Sequence, residues 1–289
     1  MAKKEPLQNA IESDGLPSAP TSQSVNPQQT RQLIIAPPGW GKTTFFMNFP
    51  GALLLAFEEG HMFVKGFKII IDKWIGDCER IDDHGNLHLS ADQALKRILA
   101  SERFPFVIID TVDAAAKMCL DFFLERERAE HVADLGEYGR GYDTAQNTPL
   151  RRYFNQILKT GRGIGYTTHE KVKNEFNKRK EIVKTTITAS MPNGVMEVLF
   201  PQVDVILHGE FGGVPEGVLH RQRILRTEGA EEFMAKNRGG LLPPAFIVPE
   251  DGACAWEQFK GFFEKPETIK KAYDKYLESY EPITAETKT

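Results

Sequence analysis

The segment that most restricts the fold lies near the amino end and reads Ala36-Pro37-Pro38-Gly39-Trp40-Gly41-Lys42-Thr43. It stands between the apolar run Leu33-Ile34-Ile35 and a short helix-forming stretch, Thr43 to Asn48, that Pro50 closes. Apart from its first residue it follows the Walker A pattern G-x-x-x-x-G-K-[ST], a turn between a strand and a helix. Such a loop must aim its backbone N–H groups inward at phosphate oxygens. Gly39 and Gly41 supply the unusual backbone angles and the close approach. Lys42 neutralises the outer phosphates, Thr43 offers a hydroxyl to Mg²⁺, and the helix N-terminus adds its dipole. Pro38, Gly39, Trp40, Gly41, Lys42, Thr43 and Thr44 are therefore the expected binding residues for ATP, with Mg²⁺ as the accompanying ion. Ala36 occupies the position usually held by glycine, which is tolerable where φ is negative.

A strand feeding such a loop calls for parallel neighbours. Short apolar runs recur at Ala52 to Phe57, Phe67 to Ile71, Phe104 to Ile109, Gly163 to Thr168 and Val203 to Leu207. Continuous runs of this length suit strands buried on both faces. Helical periodicity lies between them, at Ala91 to Leu99 and Leu150 to Leu158. The alternation predicts an α/β sandwich with a mostly parallel central sheet. Residues 1–31, rich in Gln, Ser, Asn and Pro, read as a disordered arm. Residues 32–250 form the expected core. Residues 251–289 form a helical tail, with helices at Trp256 to Phe263 and Thr268 to Tyr280 split by Pro266, and Phe259, Phe262 and Phe263 capping the core.

The net charge of −4 gives no support to a general nucleic-acid binder, so any basic site must be local. Three widely spaced cysteines without a CxxC pair argue against structural zinc and fit a reducing compartment. No apolar run approaches the length of a membrane span and no apolar signal region follows Met1 to Pro6, so a cytoplasmic location without a membrane partner is expected.

Two carboxylate groups suit the chemistry of a bound triphosphate. The run Phe106-Val107-Ile108-Ile109 ends in Asp110, the Walker B form, in which the aspartate holds Mg²⁺. Asp113 is a lesser candidate and equally suits a helix cap. The run Leu53 to Phe57 ends in Glu58-Glu59-Gly60. A carboxylate there can activate the attacking water. Glu59 is preferred because glycine follows it, Glu58 is the substitute, and a solvated loop pair is the competing reading. Farther on, Lys171 to Lys184 carries six basic and two acidic residues in a chain that is acidic overall. Lys171, Lys173, Lys178, Arg179, Lys180 and Lys184 could track phosphates, with Phe176 stacking on a base. The competing reading is a solvated β-hairpin.

Three further segments carry a resemblance. Thr167-Thr168-His169-Glu170 closes a strand after the Walker B strand. Gly136 to Tyr142 is rich in Gly and Tyr. Ala235-Lys236-Asn237-Arg238-Gly239-Gly240 has a Lys-x-Arg core. Over residues 32 to 250 the chain resembles the RecA superfamily, and more narrowly the phage RecA-like ATPases of the single-strand annealing and recombination group. The resemblance implies a RecA-like P-loop NTPase sandwich and a DNA-stimulated ATPase. It makes His169 a γ-phosphate sensor and Lys171 to Lys184 a DNA-binding loop facing a ring or filament axis. It further makes Lys236 and Arg238 groups that reach a neighbouring subunit's ATP site in a homo-oligomer. Single-stranded DNA is the expected partner, with a single-strand-binding protein as a further one, in the cytoplasm of a host if the chain is phage-encoded. A DnaB-like translocase and a nucleotide-switched interaction protein with little turnover are the alternatives. No second small helical domain with an arginine sensor follows the core, which argues against a typical AAA+ protein.

Overall fold

The computed structural model describes residues 25–136, 140–177, 179–214 and 221–279. Along the chain, β1 (Arg31–Ala36) leads through the glycine loop into α1 (Lys42–Met47). There follow β2 (Ala52–Ala56), β3 (Phe67–Lys73), β4 (Arg80–Ile81), β5 (Leu87–Ser90), α2 (Ala91–Leu99), β6 (Phe106–Asp110) and α3 (Val112–Glu127). Then come α4 (Arg140–Tyr142), α5 (Thr148–Leu158), β7 (Gly163–Phe176), β8 (Ile182–Ala189), α6 (Asn193–Leu199) and β9 (Val205–Phe211). The chain closes with β10 (Arg223–Arg226), β11 (Lys236–Asn237), β12 (Ala245–Val248), α7 (Gly252–Glu264) and α8 (Glu267–Ser279).

The sheet runs β12-β10-β9-β1-β7-β6-β2-β3-β5-β4, with β11 added to β9 and β8 to β7. From β9 to β5 the pairings are parallel, and the antiparallel additions lie at the margins. β7 therefore lies between the strand that feeds the glycine loop and the strand that ends in Asp110. This is the expected α/β sandwich with a mostly parallel central sheet.

Alternation within the strands builds two apolar layers. Leu33, Ile35, Leu55 and Ile109 join α2, α3, α5 and α6 in one core. Ile34, Ala36, Leu54, Ala56 and Ile108 join α1 and α7 in the other. Phe45 of α1 and Phe49 just past its end meet Phe259 of α7 at ring-centroid distances of 5.7 and 5.5 Å. Phe259 and Phe262 are buried and Phe263 is partly buried against this layer, so the tail caps the core as its sequence implies. α2 begins at a capping box in which Ser90 and Gln93 satisfy each other's backbone donors.

Order starts before the expected boundary at residue 32. Asn26 caps a 3-10 turn at Pro27–Gln29. Arg31 opens β1 with two side-chain hydrogen bonds to Asp204, of 2.9 and 2.8 Å. Thus 25–31 belong to the folded unit, while the rest of the expected arm, 1–24, lies outside the described residues. No described helix is long and apolar enough to cross a membrane.

Candidate functional site

Register alone gathers the site. Ala36 at the end of β1 pairs with His169 in β7, and Ala56 at the end of β2 pairs with Asp110 at the end of β6. The loop after β1, the Walker B aspartate and His169 therefore meet at the carboxyl ends of the parallel strands, where ligands bind in open α/β sheets.

The loop is anchored from below. Trp40 is fully buried, and its indole N–H donates to Glu210 O at 3.0 Å. Gly39 and Gly41 have φ of 77° and 96°, the left-handed angles expected of them. Ala36 is part of β1 and is not among the described positive-φ residues, so its methyl group meets no backbone penalty. Its neighbour makes room for it: a Cβ on Gly209 of β9 would lie 2.7 Å from Ala36 Cβ and 2.9 Å from the Trp40 ring.

Lys42 is buried and turned back on the loop. Its ammonium donates to Ala36 O (3.1 Å) and Pro37 O (3.3 Å) and lies 3.2 Å from His169 Nδ1. Burial pulls its pKa below the usual lysine value, opposed by Asp110 and Glu58. An ammonium has no lone pair, so Nδ1 accepts and the ring N–H resides on Nε2. Nε2 faces Glu58 Oε1 at 3.7 Å. This pairing raises the His169 pKa against the effect of burial, and it lowers that of Glu58.

Thr43 Oγ1 donates to Asp110 Oδ2 at 3.0 Å, and Thr167 Oγ1 donates to Asp110 Oδ1. Burial pushes the Asp110 carboxyl up, with those two hydrogen bonds opposing it. A buried carboxylate beside a threonine hydroxyl fits a hard divalent cation: Thr43 and Asp110 would hold Mg²⁺, which when bound neutralises phosphate charge. Asp113 lies one residue into α3, whose cap is Thr111, so it does not serve as the helix cap.

The structure places Glu58, the substitute, and not Glu59 among the phosphate-site residues. Glu58 is half-buried and accepts from Thr111 Oγ1 at 3.1 Å. Glu59 opens an exposed 3-10 helix, Glu59–Phe63, and has no hydrogen bond or ion pair among the described residues. The physical reason is strand parity. The chain stays extended through Glu58 (φ −133°, ψ 166°). Glu58 therefore falls on the side of Leu54 and Ala56, the α1 side, before the backbone turns away.

β7 does not end at His169 but continues to Phe176 and returns as β8 in an exposed hairpin. Its two faces differ. Lys171, Lys173 and the Glu175–Lys184 pair alternate with Val172–Ile187, Asn174–Thr185 and Phe176–Ile182. Asn177 Oδ1 fixes the tip by accepting from the amides of Arg179 (2.8 Å) and Glu181 (3.0 Å). Lys171, Lys173, Phe176, Arg179, Lys180 and Lys184 are all exposed, and Lys178 lies outside the described residues.

Lys236 and Arg238 lie at the other end of the strands. β11 pairs Asn237 with Val205, which pairs with Gln32 near the start of β1. Lys236 donates to Phe200 O (3.1 Å) and Val203 O (2.7 Å) just past α6, and Arg238 donates to Asp204 Oδ1 at 3.1 Å. Neither approaches this chain's own phosphate loop. The Gly-Tyr segment is described only in part, because 137–139 lie outside the described residues. Two site residues were not singled out in the sequence, Thr111 and Arg223, and Thr167 was read only as part of the strand-end segment Thr167-Thr168-His169-Glu170. Position beside Asp110 points to Thr111. Nothing local points to Arg223, whose contact with the loop depends on the β9–β10 pairing.

The loop between β1 and α1, with the Asp110 strand two places away, makes this chain a P-loop NTPase, the class that holds a nucleotide and Mg²⁺ at such a loop. A family model described as an AAA domain (AAA_24) matches residues 28–239, and the chain belongs to that family. Its two C-terminal helices pack onto the sheet, α7 against α1 and α8 against β12. Among solved structures, the flagellar accessory protein FlaH from Methanocaldococcus jannaschii aligns at 9% identity, over 78% of this chain and 87% of its own, with a TM-score of 0.38. No curated protein sequence matches the chain.

Proposed function

We propose that the chain binds and hydrolyses ATP with Mg²⁺, and that hydrolysis is coupled to single-stranded DNA held on the β7–β8 hairpin. The biological setting is phage recombination, annealing or replication, which rests on the resemblance of the sequence motifs. Lys42 and the loop amides bind the phosphates, Thr43 and Asp110 hold the metal, and Glu58 replaces Glu59 as the group that activates water. His169, between Lys42 and Glu58, senses the outer phosphate.

One observation carries the coupling. A single strand, β7, supplies His169 at the phosphate site and Lys171, Lys173 and Phe176 on the hairpin. A change at the nucleotide therefore acts on the first residues of the basic surface without an intervening loop. The basic face suits a phosphate backbone and the exposed Phe176, on the ribbon's other face, suits an unstacked base that passes its edge, which favours a flexible single strand over a duplex.

The test is steady-state ATP hydrolysis with and without single-stranded DNA. Stimulation by DNA that vanishes in Lys42→Ala supports the proposal. Strand displacement would shift the reading to a translocase. Tight ATP binding with negligible turnover under both conditions would leave a nucleotide-switched interaction protein.

A further inference from the structure

The sheet order gives the nucleotide a direction. Asp110 and His169 stand on β6 and β7 and Glu58 just past the end of β2, all on one side of β1. The reacting end of a triphosphate belongs there. The phosphate chain then runs over the loop toward the other side of β1, where β9 and β10 lie, and the nucleoside emerges on that side.

Arg223, the first residue of β10, occupies this second side. It pairs with Phe211 of β9, just past Glu210, whose carbonyl holds Trp40 of the loop. Its guanidinium lies against the bare Cα of Gly41: a Cβ there would stand 2.9 Å from Arg223 Nη1. Of the guanidinium's five N–H donors, one has a partner among the described residues, Nη2 to Pro249 O at 3.0 Å. No ion pair within 4 Å neutralises it among the described residues, although Glu250 attracts it, and burial lowers its pKa from the usual arginine value. A half-buried cation with free donors, pressed on the turn that opens α1, is poised for an anion or a π-face arriving at that turn.

We infer that Arg223 is a nucleotide-contact residue, acting within its own chain on the nucleoside side of the phosphate loop and stacking on the base. The inference rests on the nucleotide-binding reading above. It assigns Gly41 a second task besides its backbone angle, since any side chain there would displace the guanidinium.

The test is calorimetric titration of the full chain with ADP and, separately, with pyrophosphate, which occupies the loop but has no nucleoside end. Arg223→Ala should weaken ADP by about tenfold or more and leave pyrophosphate within about twofold. Where Arg223→Ala fails to fold, Arg223→Gln, which keeps a donor for Pro249 O, makes the same comparison. Arg223→Lys, which keeps the charge without the planar face, should weaken ADP as well, and unchanged ADP affinity in it would overturn stacking on the base. Wild-type ADP affinity in a folded Arg223→Ala overturns the inference. So does an equal loss for ADP and pyrophosphate, which would make Arg223 only a prop for the loop. Wild-type protein that binds neither ligand would sink the nucleotide-binding reading itself, a result distinct from either.

Discussion

Between Glu58 and Glu59 a single step along the backbone separates a carboxylate in the site from one in solvent. Glu58→Gln should keep nucleotide binding and slow hydrolysis by about 10² or more, the scale of general-base loss. Glu59→Gln should stay within about twofold; the reverse ranking would return the role to Glu59. The parity argument was available in the sequence, since Leu54 and Ala56 already mark the α1 side. What was hidden was that the chain remains extended for one residue and turns at the next. The phosphate loop, by contrast, was legible residue by residue, because its chemistry is local. His169 adds a pH signature. Its raised pKa gives stability that is full below the ordinary histidine value of 6.5 and is lost as pH rises through the raised value. The lowered Glu58 pKa gives stability present above its ordinary value of 4.5 and lost as pH falls through the lowered one. The two overlap between those ordinary values. The melting-temperature gap between wild type and His169→Gln should therefore be widest near pH 5.5 and shrink as pH rises through the raised His169 value. A pH-independent gap would show that the pair contributes nothing.

Among the elements, α2 was legible in full, because its apolar spacing and its Ser90–Gln93 cap lie within the segment. α5 was legible nearly so. The reach of β7 was not: past Glu170 its residues are exposed on both sides, so the apolar run stops while pairing with β8 carries the strand on. The hairpin is also where the DNA proposal is most exposed to test. Lys173, Arg179 and Lys184 changed together to Ala should weaken single-stranded DNA binding and flatten the salt dependence by roughly 0.7 per lost phosphate contact, with ATP affinity unaltered. An unchanged slope would leave a solvated hairpin. α7 makes a different claim, about stability. Phe259 is fully buried against Phe45 and Phe49. Phe259→Ala should cost about 3–5 kcal/mol in a denaturant titration, and a cost under about 1 kcal/mol would mean that the tail does not cap the core.

For the molecule as a whole, Lys236 and Arg238 pose the question of assembly. Lys236 is engaged at the carbonyl end of α6, so Lys236→Met should lower stability by about 1 kcal/mol whether or not subunits associate. Arg238 is more than half exposed and shares Asp204 with Arg31. If it serves a neighbour's ATP, Arg238→Ala should bind ATP normally and hydrolyse it poorly, because a finger acts on charge that develops in the transition state. Mixing it with excess Lys42→Ala subunits should then restore turnover. No rescue in mixtures shown to co-assemble would remove Arg238 from the shared site. One strand also gives the molecule a mechanical property. β7 is paired with β6 through Tyr166 and with β1 through His169, and is paired only with β8 from Glu170 onward. The edge of the sheet is thus a fulcrum, with His169 beside it and an arm of about 20 Å extending to Phe176. A tilt of about 10° at that fulcrum would carry the tip about 3.5 Å, close to the rise of one extended residue. Adjustments at the phosphate site too small to disturb the core would therefore reach the tip as a displacement of a whole residue step.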